Sequence, residues 1–128
     1  MKIKILAIQG DSLNKLNPKT DTTILFALEA QRRNYQIYYY KTKNLTYAEN
    51  KVTAKCDEVS FRENSKNFYK IKRKINLDLS KAKVILMRQD PPFNMDYITA
   101  TYLLEKLPKK VKIINNPKSV RDISEKLY

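Results

Sequence analysis

Arg88 and Asp90 are the residues best placed for chemistry. They follow a continuous apolar run at Val84, Ile85, Leu86 and Met87 and stand just before Pro91 and Pro92. A short apolar run closed by turn residues has the pattern of a strand buried on both faces. Proline cannot donate to a strand ladder and pushes the preceding residue into an extended conformation. The strand must therefore stop here, with Arg88 near its carboxyl end and Asp90 held extended. Open α/β sheets take their ligands just outside the carboxyl ends of the strands. A guanidinium in that place offers a planar fork of donors to a carboxylate or a phosphate. Two readings of Asp90 stand side by side: it orients Arg88 or accepts from a substrate ammonium, or it pairs with Arg88 and only secures the loop.

A second polar group must reach the same edge. Gly10, Asp11 and Ser12 open a loop that runs through Asn14, Asn17 and Pro18 to Asp21 and Thr22. Before it, residues 3–8 are apolar at nearly every position, the pattern of a central parallel strand. After it, Thr20 or Asp21 can cap a helix by accepting from its free backbone N–H groups. Ile24, Ala27 and Leu28 recur at helical spacing, with Leu25 and Ala30 beside them. Arg32 and Arg33 suit the helix's C-terminal end, and Asn34 can take the left-handed conformation that stops it. Residues 36–41 read as the second strand. Strand, helix and strand make a βαβ unit, so the loop carrying Asp11, Asn17 and Asp21 opens at the edge where Arg88 sits.

The remaining elements frame these two clusters. Residues 43–79 alternate only partially, at Leu45, Tyr47, Val52, Val59 and Phe61, with Asn50 as a turn residue. This predicts a β-hairpin or meander, followed by an irregular basic segment at 66–74. The KIKRK run at 70–74 is a candidate phosphate-backbone patch, or a solvated strand face or loop. After the prolines, Asp96 can cap a helix to Leu107 whose Ala100, Leu103, Leu104 and Leu107 form one apolar stripe, ended by Pro108. Residues 111–114 give the next strand, and a last helix runs from Pro117 into the end of the chain. A chain that stops inside a helix suggests a piece of something longer. The expected fold is an α/β, Rossmann-like single domain over residues 1–128. Its mostly parallel sheet has the order 2-1-3-4 and carries the meander as an insertion.

Composition removes several chemistries. The chain has no histidine and one cysteine, Cys56, so Cys–His catalysis, a His-ligated zinc site and an internal disulfide are all excluded. A single glycine cannot supply GxGxxG or GxxxxGK[ST]. The amino-terminal apolar run is too short for a signal-peptide core or a membrane span. The net charge of +13 raises a nucleic-acid hypothesis, but the basic residues are spread along the whole chain. From the residues alone this is a ligand-facing α/β module without catalytic equipment of its own.

Three segments add a resemblance: ALEAQRRNYQIYYY (27–40), VILMRQDPPFNMDYITATYLLEKL (84–107) and INNPKSVRDISEKLY (114–128), with the loop GDSLNKLNPKTDTT (10–23) at matching spacing. Together they resemble the amino-terminal, pre-ATP-grasp domain of prokaryotic glutathione synthetase, most loosely across 43–79. That resemblance implies a ligase that joins γ-glutamylcysteine to glycine through an acyl phosphate, with ATP and Mg2+ (or Mn2+) held by an ATP-grasp domain absent here. It implies no cofactor, metal or catalytic residue in this chain, which would be inactive alone. It carries Arg88, Asp90, Asp11, Asn17 and Asp21 over as one wall of the substrate cleft, Arg88 meeting a substrate carboxylate and Asp90 positioning it. The single cysteine fits a reducing cytosol, and the expected protein is cytoplasmic and homo-oligomeric at full length, without a membrane partner and with nucleic acid disfavoured as one. Ser12 departs from the family's usual proline, Gln89 from its lysine and Asn34 from a helix-ending glycine. The alternatives are a basic nucleic-acid-binding module and a freestanding small-ligand-binding domain without catalysis.

Overall fold

The computed structural model describes residues 3–19, 21–64, 66–88, 95–115 and Leu127. Among the described residues seven strands form one sheet: β1 (Lys4–Gly10), β2 (Tyr35–Tyr40), β3 (Leu45–Ala48), β4 (Lys51–Phe61), β5 (Tyr69–Asp78), β6 (Val84–Arg88) and β7 (Lys112–Asn115). Helix α1 (Thr22–Arg32) joins β1 to β2, and α2 (Met95–Leu104) lies between β6 and β7. The parallel part runs β2-β1-β6-β7, which is the expected 2-1-3-4 order of the four apolar strands. None of the expected parallel strands has moved by more than two residues at either end.

The sheet does not stop where the meander begins. The middle of β4 pairs antiparallel with β2 at Asp57, Glu58 and Val59, so the expected insertion is a continuation of the sheet. The same edge of β4 holds β3 along Lys51, Val52, Thr53 and Ala54, and β5 runs along the opposite edge. Parallel and antiparallel pairings are thus equally represented in a sheet expected to be mostly parallel. The β3–β4 turn has positive φ at Glu49 (53°) and Asn50 (63°). Two successive residues there are the signature of a hairpin turn whose twist matches its strands.

One expected segment is corrected. The expected irregular stretch at 66–74 is from Tyr69 onward the strand β5, in line with the alternative of a solvated strand face at 70–74. Solvent reaches both of its faces over most of its length, so no apolar alternation marks it as a strand. Near the other end, α2 begins at Met95, which puts Asp96 inside the first turn and not at the cap. That helix is regular to Leu104, and tight i to i−3 bonds carry the chain on to Leu107. Gln89, Asp90, Pro91, Pro92 and the terminal helix expected from Pro117 lie outside the described residues, save Leu127, which is helical.

Alternation along the strands sorts the core into two layers. Leu6 and Ile8 of β1, Ile37 of β2 and Val84 and Leu86 of β6 pack with Phe26, Ala27 and Ala30 of α1. Ala7, Tyr38, Tyr40, Ile85 and Met87 face the other way, onto Leu104 of α2 and Val111. Because both faces of β1 and β6 are covered, their sequences read as unbroken apolar runs. Leu103 and Leu107 complete the expected stripe of α2 as half-buried neighbours of that second layer. No helix among the described residues is long and apolar enough to cross a membrane.

Candidate functional site at the carboxyl edge

The carboxyl ends of β1 and β6 meet in register, Gly10 opposite Arg88. Asp11 therefore leaves the sheet beside the strand end that bears the arginine. The loop after it turns back through a short 3-10 helix, Leu13–Lys15, with Leu13 buried under the first core layer. Asn17 then makes a turn: its Oδ1 accepts from the Lys19 N–H at 3.0 Å and its carbonyl from the Asp21 N–H at 2.9 Å. That turn delivers Asp21 to the start of α1.

Asp21 serves two groups with one oxygen. Its Oδ1 accepts from the Thr23 N–H at 2.9 Å, the N-cap bond of α1. The same Oδ1 lies 3.9 Å from Nε of Arg88. Both side chains are mostly covered, 27% of Arg88 and 18% of Asp21 remaining exposed, and the arginine Nε is shielded from solvent. A carboxylate fixed by a helix cap gives the guanidinium a rigid electrostatic anchor, and partial burial limits screening of the pair. A guanidinium is a planar group of the kind that carboxylates and phosphates recognise.

The structure thus brings Arg88 and Asp21 together and sets Asp11 at the adjoining strand end. Asn17 does not join them: it is exposed and its side-chain oxygen is engaged in its own turn. Asp90, expected as the partner of Arg88, lies outside the described residues; Asp21 is one partner among the described residues.

Two residues that sequence reasoning passed over hold the loop. The Tyr39 hydroxyl, from β2, donates to the carbonyl of Asp11 at 2.6 Å. To reach it the ring crosses Gly10. A Cβ at Gly10 would collide with the Tyr39 hydroxyl, come within 2.9 Å of its Cζ and 3.3 Å of the Arg88 carbonyl. The one glycine of the chain is therefore a matter of space and not of backbone angle. A lone glycine at the end of an apolar strand was the available signal, since it often marks such a close approach. On the opposite face of the sheet, the Tyr40 hydroxyl donates to Oε1 of the fully buried Gln9 at 3.0 Å. Burial raises that phenol well above its ordinary range, with a smaller push from Cys56. Cys56 is itself buried, and desolvation lifts its thiol to about 12, helped by Asp57. Such a thiol is a packing group, because only the thiolate is nucleophilic.

Far from this edge, the other end of α1 is tied to the antiparallel part. The Gln31 amide donates to the Phe61 carbonyl at 2.8 Å and accepts from its N–H at 2.6 Å, as a neighbouring strand would. Glu29 pairs with Arg32 and Arg33, and Asn34 ends the helix at φ 67°. The KIKRK run is divided among the faces of β5. Arg73 is ion-paired with Glu58 at 2.7 Å, and its register neighbour Lys74 opposes Asp57.

Residues 3–121 match the family described as prokaryotic glutathione synthetase, N-terminal domain. The chain is 39% identical to a glutathione synthetase of Mesorhizobium japonicum over 128 residues, which is 100% of this chain and 41% of that protein. It is 38% identical to one of Buchnera aphidicola subsp. Schizaphis graminum, covering 96% of this chain and 39% of that protein. For one of Wigglesworthia glossinidia brevipalpis the figures are 40% identity, 95% and 39%. The chain spans about two fifths of the length of the curated relatives it matches.

Proposed function

Since the chain belongs to the prokaryotic glutathione synthetase N-terminal domain family, we propose that it forms one wall of the substrate cleft of a ligase joining γ-glutamylcysteine to glycine with ATP. The observation that carries this reading is Arg88 at the carboxyl end of β6 with its Nε 3.9 Å from the helix-capping Asp21. In the proposal, Arg88 receives a carboxylate of the dipeptide through a charge-assisted bond. Asp21 holds the guanidinium in place, and Asp11 lines the neighbouring strand end. Asp90 adds a second carboxylate within the same motif.

The described residues offer no ready site for Mg2+. No group of three or more acidic, cysteine or histidine side chains that could hold a metal exists among them. A chain with one glycine also cannot build a glycine-rich phosphate loop. In the proposal, phosphoryl transfer belongs to the ATP-grasp domain that the family resemblance implies. This chain's contribution is to bind and orient the dipeptide, in a cytoplasmic protein that works as a homo-oligomer.

The test is steady-state kinetics with this segment joined to the remainder found in its relatives. Arg88→Lys keeps the charge but loses the planar fork. It should raise KM for γ-glutamylcysteine on the order of tenfold while leaving KM for ATP unchanged, the loss expected for one charge-assisted bond. Unchanged KM for the dipeptide would remove Arg88 from the substrate's contacts. Absence of any ligation by the wild-type joined chain would remove the activity itself.

A further inference from the structure

A cleft of about 680 Å3 opens beside this edge, on the α1 side of the sheet where the sheet extends past the helix. The Leu13 and Asn14 turn forms one bank and the β4–β5 ribbon forms the other. Neither Arg88 nor Asp21 lines it. Its volume is that of an ordinary small-molecule site.

The charges around it are one-sided. Lys41 and Lys43 come from the segment after β2, Lys55 from β4 and Lys74 from β5, against one carboxylate, Asp57. The lining thus carries four cations and one anion, a net +3. Register explains the convergence: Lys55 opposes Asn76, and Asp57 opposes Lys74, so these side chains share one face of the ribbon. None of the four ammonium groups has an ion pair or hydrogen bond among the described residues. Elsewhere the molecule does use its acids in this way, with Glu29, Glu58 and Glu63 each paired to an arginine. Tyr69 and Ile71 add an apolar floor.

We propose that this cleft binds a small molecule carrying two or more phosphate charges. Lysines on flexible stems converge on phosphate as point charges, and several of them suit a ligand with more than one anionic group. A small ligand fits better than a nucleic-acid backbone. The cleft has banks on both sides, and the basic run of β5 is divided between faces, with Arg73 already committed to Glu58. The site is independent of the dipeptide reading, since it uses no residue assigned there.

The experiment is titration of the chain with inorganic pyrophosphate and tripolyphosphate at low salt, followed by calorimetry and by backbone amide shifts. Saturable binding is expected, tighter for tripolyphosphate, with shifts centred on residues 41–44, 55–57 and 74–76. The double variant Lys55→Gln/Lys74→Gln should bind on the order of tenfold more weakly. Lys109→Gln/Lys110→Gln, with the same charge loss elsewhere, should bind as the wild type does. Both pairs lie on exposed positions, and the shift map of the wild type decides the matter should a variant misfold. The proposal is overturned by non-saturable binding, by equal weakening in both variants, or by shifts centred on Arg88. It is also overturned by a short single-stranded oligonucleotide that outcompetes tripolyphosphate and spreads its shifts along the outer edge of β5.

Discussion

The parallel strands and the antiparallel ribbon are made of the same sheet yet obey different rules. Strand β6 is buried at every position until Arg88, whereas β5 is buried at a single position, Leu77. Helices or the chain's own turns cover both faces of the parallel part. The ribbon projects beyond them and meets water. Its outer strand carries Lys70, Lys72, Arg73 and Lys74, charges that discourage pairing with a second sheet edge. Stability is concentrated in the first region, while the second is free to vary its surface. The two candidate sites follow the same division: a covered, anchored arginine at the parallel edge, and a group of solvated lysines on the ribbon.

Leu86→Ala against Ile71→Ala tests this contrast most strongly. Leu86 is fully buried, and Ile71 is 41% exposed. Urea denaturation should show a loss of about 2–5 kcal/mol for the first and under about 1 kcal/mol for the second. Similar losses would mean that the ribbon is as integral to the core as β6.

Gly10→Ala comes next. The added methyl must displace the Tyr39 ring or part β1 from β6, a cost of about 1–3 kcal/mol. Tyr39→Phe, which removes the nearest atom, should recover part of that cost in the double variant, measured by the same denaturation. Full additivity of the two changes would separate Gly10 from the tyrosine clamp.

Asp21 sharpens the comparison at the site itself. Asp21→Ala removes the helix cap and should cost about 1 kcal/mol. Asp21→Asn keeps the cap bond and loses only the charge facing Arg88. Its stability should stay near wild type while the KM effect of an Arg88 variant is partly reproduced in the joined chain.

The smallest effect is with pH. Hydrogen bonds from Arg33 hold the Glu29 carboxyl below its usual value, and Ser80 does the same for Asp78. Both groups therefore titrate lower in the folded chain than in the unfolded one. Their stabilisation is fully present above the ordinary carboxylate range, about pH 4, and is lost as pH falls through the folded values. Melting temperature followed from pH 6 to pH 3 should decline less in the Asp78→Asn variant than in the wild type.

Legibility in the sequence followed the same boundary. The four parallel strands, a cap at Thr20 or Asp21 and the stop at Asn34 rest on local chemistry, and a one-dimensional reading reached them, Asp21 proving to be the cap. The family resemblance drawn from the AQRRN and MRQDPPF segments agrees with the match over residues 3–121. The extent of β5 escaped, and only a solvated strand face at 70–74 was offered, because an outer strand wetted on both faces has no apolar period to read. Tyr39, Gly10 and Gln31 escaped because their partners, Asp11, Arg88 and Phe61, are brought in by packing and not by spacing. Asp21 as a partner of Arg88 escaped for the same reason, since it comes from the start of a helix more than sixty residues earlier, while the expected pairing with Asp90 lies outside the described residues.

That helix is roughly 16 Å long for its eleven residues. It is fastened at one end by the carboxylate that faces Arg88 and at the other by the amide of Gln31 gripping Phe61. A rod pinned in this way cannot slide along the sheet without straining both fastenings. Its place along the sheet is therefore set from two ends, one at the arginine's strand and one at the root of the ribbon.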